Sequence, residues 1–154
     1  MLKEVRIVAV LCALLALPLS AAAQEYKYFS VDIPPDWMLV DEPEEDKDGT
    51  FTLIVGRKDH SSVVMLVAGP NGGIDAATLA KSLSSSMGAT GEPQENKGQY
   101  QYEYERDGVR GVACLAVDAK AKLYMMTAVS GDTQAAAPVL NSLRSAKYPL
   151  LIAK

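Results

Sequence analysis

Only a few places in the 154-residue chain hold side chains spaced for chemistry. The sharpest is Glu44-x-Asp46-x-Asp48-Gly49, which sets carboxylates at alternating positions ahead of a turn-making glycine, with Phe51 where a calcium loop carries an apolar residue. A complete loop opens on Asp and closes on a bidentate Glu at its twelfth position; here Glu44 opens it and Val55 holds the twelfth place. The segment reads first as a solvated acidic loop between strands, and alternatively as a weak calcium site formed by Glu44, Asp46 and Asp48. No other cofactor is expected. Tyr100, Tyr102 and Tyr104 alternate with Gln101, Glu103 and Glu105, placing three phenols on one face of a strand. Under a helix such a stripe is core; facing water it would be the best candidate interaction surface. Asp59-His60-Ser61-Ser62 holds the three residue types of a hydrolase triad, but neighbours in sequence cannot aim at one another as a triad requires, so a polar turn is expected. Cys114, in a strand apolar on both faces, reads as an inert buried thiol. Asn71-Gly72-Gly73 reads as a turn: Asp75 stands where a phosphate would be repelled, and no P-loop lysine follows.

These residues must be positioned by short strands and two helices. Tyr26 to Ile33 marks a first strand that Pro34-Pro35 must end, and Trp37 to Val40 a second. Thr50 to Gly56 and Ser62 to Ala68 follow around the turn Arg57 to Ser61. Asp75 caps a helix through Met87, with Ala76, Leu79, Ala80, Leu83 and Met87 at helical spacing and Gly88 as its stop. After a polar linker, Gln99 to Arg106 and Val109 to Val117 flank Asp107-Gly108, a tight-hairpin dipeptide, and Lys122 to Val129 is the last strand. A second helix is expected over Pro138 to Ala146. Val63 to Ala68, Val109 to Val117 and Leu123 to Val129 are largely apolar on both alternating sets, the mark of strands covered on both sides. The expectation is therefore an α+β fold. Its mainly antiparallel sheet has about six or seven strands, in the order ββββ-α-βββ-α, with helices on both faces, Trp37 in the core, and Cys114 and Leu115 each under a different helix.

The chain begins with the parts of an export signal: Lys3 and Arg6, the apolar run Ile7 to Leu17, and the small residues Ala21-Ala22-Ala23. Cleavage is expected after Ala23, leaving residues 24–154 as one domain, periplasmic or secreted, with no membrane insertion afterwards. Removing Lys3, Arg6 and Glu4 from 15 basic and 19 acidic residues leaves 13 and 18, a net charge of −5. With no basic cluster to displace counterions, nucleic acid is excluded as a partner. Of two cysteines only Cys114 survives cleavage, so no intrachain disulfide can form and stability must come from packing.

The opening Tyr28-Phe29-Ser30-Val31-Asp32-Ile33-Pro34-Pro35-Asp36-Trp37 resembles the first strand, turn and core tryptophan of the PsbP-like and DcrB-like α/β/α sandwich domains. Leu140-Asn141-Ser142-Leu143-Arg144 is similar to their last helix, and the element order agrees over almost the whole mature chain. That superfamily includes photosystem accessory subunits, a Ran-binding nuclear protein and bacterial envelope proteins. The resemblance implies an accessory or binding role without catalysis, through an envelope protein partner or a weak ligand, and it transfers no functional residue. The alternative is a metal-dependent protein or enzyme whose site is assembled only in three dimensions.

Overall fold

The computed structural model describes residues 23–153; the expected export signal lies outside the described residues, apart from Ala23 at its end. Pro34-Pro35 leaves little of the first extended segment free to pair. Strand β1 (Gln24–Glu25) forms only a two-residue ladder with β2 (Ser30–Val31), and the segment beyond runs on to β3 (Trp37–Leu39). Within the acidic segment, β4 (Glu44–Glu45) pairs with the start of β5 (Phe51–Arg57), a strand absent from the sequence-based expectation. The turn to β6 (Ser62–Pro70) carries His60 at φ +63°. Helix α1 (Ala76–Met87) begins and ends where its caps require. Asp75 Oδ1 accepts from Thr78 N at 2.9 Å, and Gly88 closes the helix in the left-handed region at φ +77°.

The polar linker after α1 contributes a further unexpected strand, β7 (Gln94–Asn96), beside β8 (Gln99–Arg106). Asp107 and Gly108, both at positive φ, join β8 to β9 (Val109–Asp118) in a two-residue hairpin. Asp118 Oδ1 accepts from Ala121 N at 2.9 Å and holds the next turn into β10 (Leu123–Gly131). Helix α2 spans only Ala137–Ser142, four residues short of the expected end at Ala146. The reason is a competing ladder: Arg144 N donates to Ser30 O and Ser30 N to Arg144 O, at 3.0 and 2.8 Å, so the chain is extended where the helix would have continued. A single 3-10 turn at Pro149–Leu151 follows.

All pairings in the main sheet are antiparallel, in the order β3-β5-β6-β10-β9-β8-β7, with β4 sharing the outer edge of β5 with β3. The fold is thus α+β, as expected, and the main sheet has eight strands where six or seven were expected. One core lies between one sheet face and the N-terminal segment, α2 and the C-terminal tail; it contains Trp37, Leu53, Val64, Leu66, Met125, Val139 and Leu151. The other lies under α1 and contains Leu79, Ala80, Tyr102, Tyr104, Leu115 and Met126.

The two covering layers are offset, and the registers make this visible row by row. On the α1 face, the row Tyr102, Ala113, Ala128, Met65, Ile54 runs from buried residues on β8, β9 and β10 to half-buried ones on β6 and β5. On the opposite face, the row Gln101, Cys114, Thr127, Leu66, Leu53 runs the other way, from exposed through half-buried to fully buried. Strand β10 alone is nearly buried on both faces. The expectation that Val63 to Ala68 and Val109 to Val117 are covered on both sides is therefore corrected: Val63, Met65 and Val67, and on the other side Val112 and Cys114, are only half-buried. Leu115 lies under α1 as expected, whereas Cys114 is not sealed beneath a second helix.

Candidate functional site

The acidic loop does not gather its carboxylates. Glu44 is held in β4 opposite Thr52, Asp48 Oδ1 accepts from Thr50 N at 3.0 Å, and the turn closes through Gly49 N to Asp46 O and Asp46 N to Thr50 O. Among the described residues no group of three His, Cys, Asp or Glu side chains is placed to hold a metal ion, so the calcium reading of Glu44, Asp46 and Asp48 finds no assembled site. Glu45 points to the other side of the sheet edge and pairs with Lys27.

The tyrosine stripe is core. Tyr102 is 3% exposed and Tyr104 6%, both under α1, which removes the stripe formed with half-buried Tyr100 as an interaction surface. The Tyr102 hydroxyl lies 3.1 Å from Met87 Sδ and 3.3 Å from Met126 Sδ, so its single proton is shared between two weak, polarisable acceptors. Burial, with smaller contributions from Tyr104 and Cys114, pushes its pKa up to about 12. Tyr104 Oη is 2.7 Å from Ser130 Oγ.

Asp59 is occupied by its own turn: Oδ1 accepts from Ser61 Oγ at 2.6 Å and from Ser61 N at 3.0 Å. These bonds, with Arg57 at 3.3 Å, hold its carboxyl below the ordinary carboxylate value. The segment is the polar turn expected from sequence. Asn71 likewise closes its turn, accepting from Gly73 N at 2.9 Å. Cys114 borders a shallow groove of about 300 Å³ with Gln101, Val112, Thr127, Val129, Thr133 and Leu140, and burial raises its thiol pKa. It is thus half-buried rather than sealed, and still poorly ionised at neutral pH.

The feature that sequence reasoning missed is the difference between the two uncovered half-faces. Opposite α1, the open half ends on Gln101, Glu103 and Glu105, side chains at home in water. On the α1 face, the open half is floored by Ile54, Val63, Met65 and Val67 and rimmed by Met38, 53% exposed, and Val40, 51% exposed. These residues are contiguous: Ile54 is opposite Met65, Thr52 opposite Val67, Gly56 opposite both Val63 and Met38, and an added Cβ on Gly56 would meet Val40 Cγ2 at 3.1 Å. The acidic loop bounds one end of the strip. Glu44 pairs with Thr52 on this face, and Thr50 lies against Gly69, where a Cβ would come within 2.8 Å of Thr50 Cα. Burial raises the phenol pKa of Tyr124, opposite Gly69 on this face, against a lowering hydrogen bond with Thr50 and with smaller raising contributions from Asp48 and Asp46. Alternation of apolar residues in β5 and β6 was legible in sequence, but which alternating set would lack a cover was not.

No family model and no curated protein matches the chain. A solved structure from Bacteroides thetaiotaomicron VPI-5482 is similar at 16% identity with a TM-score of 0.39, covering 78% of this chain and 46% of that one. The chain therefore spans less than half the length of that protein. Among the described residues no helix is long and apolar enough to cross a membrane.

Proposed function

We propose that the mature chain is an exported binding domain of the cell envelope, periplasmic or secreted, that works without catalysis by docking a protein partner on the open half of its α1 face. The observation that supports this reading is the contrast between the edges of the half-faces: opposite α1 the outer strand β8 presents exposed Gln101, Glu103 and Glu105 beside half-buried Val112 and Cys114, whereas on the α1 face the outer strands present half-buried Ile54, Val63, Met65 and Val67 and exposed Met38 and Val40. Apolar side chains on an uncovered sheet face lose the transfer free energy that burial would give, roughly 25 cal/mol per Å². A contiguous patch of them marks an interaction surface. Export is supported by the basic, apolar and small-residue succession over residues 1–23. The resemblance of the Tyr28 to Trp37 segment to PsbP-like and DcrB-like domains supports an accessory role.

The test is site-specific photo-crosslinking in the producing cell, with the probe at Met38 or, as a control, at Val109, an exposed apolar residue on the β8–β9 hairpin. A discrete adduct with the same protein from Met38, absent from Val109, is expected. Identical adduct patterns from the two positions, or none from Met38, would overturn the docking surface.

A further inference from the structure

The geometry points to an amphipathic helix with a basic polar face as the occupant of the open strip formed by Met38, Val40, Ile54, Met65 and Val67. This rests on the docking reading above and adds the shape and charge of the partner. The shape follows from spacing. Helix α1 lies over β8 and β9, the core beneath it takes in Ala128 and Met126 on β10, and half-buried Met65 and Val67 on β6 pack against its margin, so among the described residues the open floor is β5 with the half-buried face of β6. Two strands at about 4.8 Å spacing give a floor about 10 Å wide, the width of one helix. An added strand fits less well, because the outer edge of β5 is already paired to β3 and β4 and the strip offers side chains rather than free backbone donors and acceptors.

The charge follows from the strip's border. The segment Asp41 to Asp48 contains six carboxylates and one lysine, and among the described residues only Glu45 of these acids is in an ion pair, with Lys27 on the far side. Glu44, Asp46 and Asp48 remain at the end of the strip and favour Lys or Arg on whatever lies in it. A second copy of this chain is disfavoured by the same charges, since it brings its own acidic loop and a net charge of −5.

The experiment titrates the mature chain with an 18-residue helical peptide of leucines on one face and lysines on the other, and with its Leu/Glu counterpart. Calorimetry reads affinity, and methionine-methyl NMR reads location. The Leu/Lys peptide is expected to bind and to shift the Met38 and Met65 methyl signals. Met38→Glu and, separately, Val40→Glu should weaken binding at least tenfold with unchanged melting temperature, whereas Val109→Glu should not affect it. The Leu/Glu peptide should bind at least tenfold more weakly, and the difference should shrink with added salt. Equal binding of the two peptides, or binding indifferent to Met38→Glu and Val40→Glu, would overturn the proposal. So would self-association of the chain alone that Met38→Glu dissolves, since the occupant would then be a second copy. If the peptides fail while Met38 still gives its crosslink in cells, the helix and its charge are wrong and the docking surface stands; loss of that crosslink removes both.

Discussion

Tyr104 and Gly111 face each other across the β8–β9 ladder, under α1. The alternation of three tyrosines with polar residues identifies a strand with one aromatic face, and the structure has that strand over the expected residues, Gln99–Arg106. Whether the face meets water depends on a partner across the sheet. Tyr104 stands directly opposite Gly111, and its ring fills the space a side chain there would take: an added Cβ would lie 2.3 Å from Tyr104 Cζ and 2.6 Å from Val129 O. Glycine is needed here for close approach, since its φ is not in the left-handed region. Gly111→Ala is expected to destabilise the domain by about 1–3 kcal/mol, as overpacking does. Denaturant unfolding of the two proteins measures it, and an unchanged midpoint would show that the ring is free to move away. The acidic loop teaches the complementary lesson. Its residue types and spacing were legible, but Glu44 is committed to a strand and Asp48 to its own turn, and those commitments come from the pairing of β4 with β5.

At the scale of elements, α1 was legible to the residue because its limits are set locally, by Asp75 and Gly88. The end of α2 was not, because a ladder with Ser30, more than a hundred residues away in sequence, fixes it. Strands β4 and β7 escaped detection for a similar reason: Glu44–Glu45 and Gln94–Asn96 have no strand preference of their own and are ordered by pairing with neighbours already in the sheet. The α1 cap gives a prediction with a defined sign. Asp75 accepts from Thr78 N and Thr78 Oγ1, which hold its carboxyl below the ordinary carboxylate value. A depressed folded-state pKa contributes stability that is present above the unfolded value and lost as pH falls through the folded one. Asp75→Ala should lower the melting temperature at pH 7 by about 3–6 °C. Asp75→Asn, which still caps, should lose less, and its difference from the parent should vanish in acid. Thermal unfolding of the three proteins from pH 7 to pH 2 checks this, and a gap between parent and Asn that widens in acid would contradict the role given to Asp75.

For the whole molecule, the decisive quantity is how much sheet two short helices can cover. Seven strands side by side span roughly 30 Å, and a helix with its side chains covers about 10 Å of that. One helix per face leaves most of each face to other chain segments or to water. On one face the N-terminal segment and the C-terminal tail supply cover over β5, β6, β10 and part of β9; on the other, among the described residues no segment lies over β5 and the outer side of β6. That shortfall was implicit in the expectation of many strands and two helices, but the side on which it would fall depended on where non-helical segments pack. Docking on this face rests on the apolar strip being open to solvent, and the methionines report on that directly. Met38 and Met65 lie on the strip, whereas Met125 and Met126 are buried on opposite faces of β10. In methyl NMR of the mature chain with a soluble, neutral gadolinium chelate, Met38 and Met65 should show strong paramagnetic relaxation and Met125 and Met126 little. Protection of Met38 and Met65 equal to that of Met125 would mean that the chain covers its own strip, and would contradict the account.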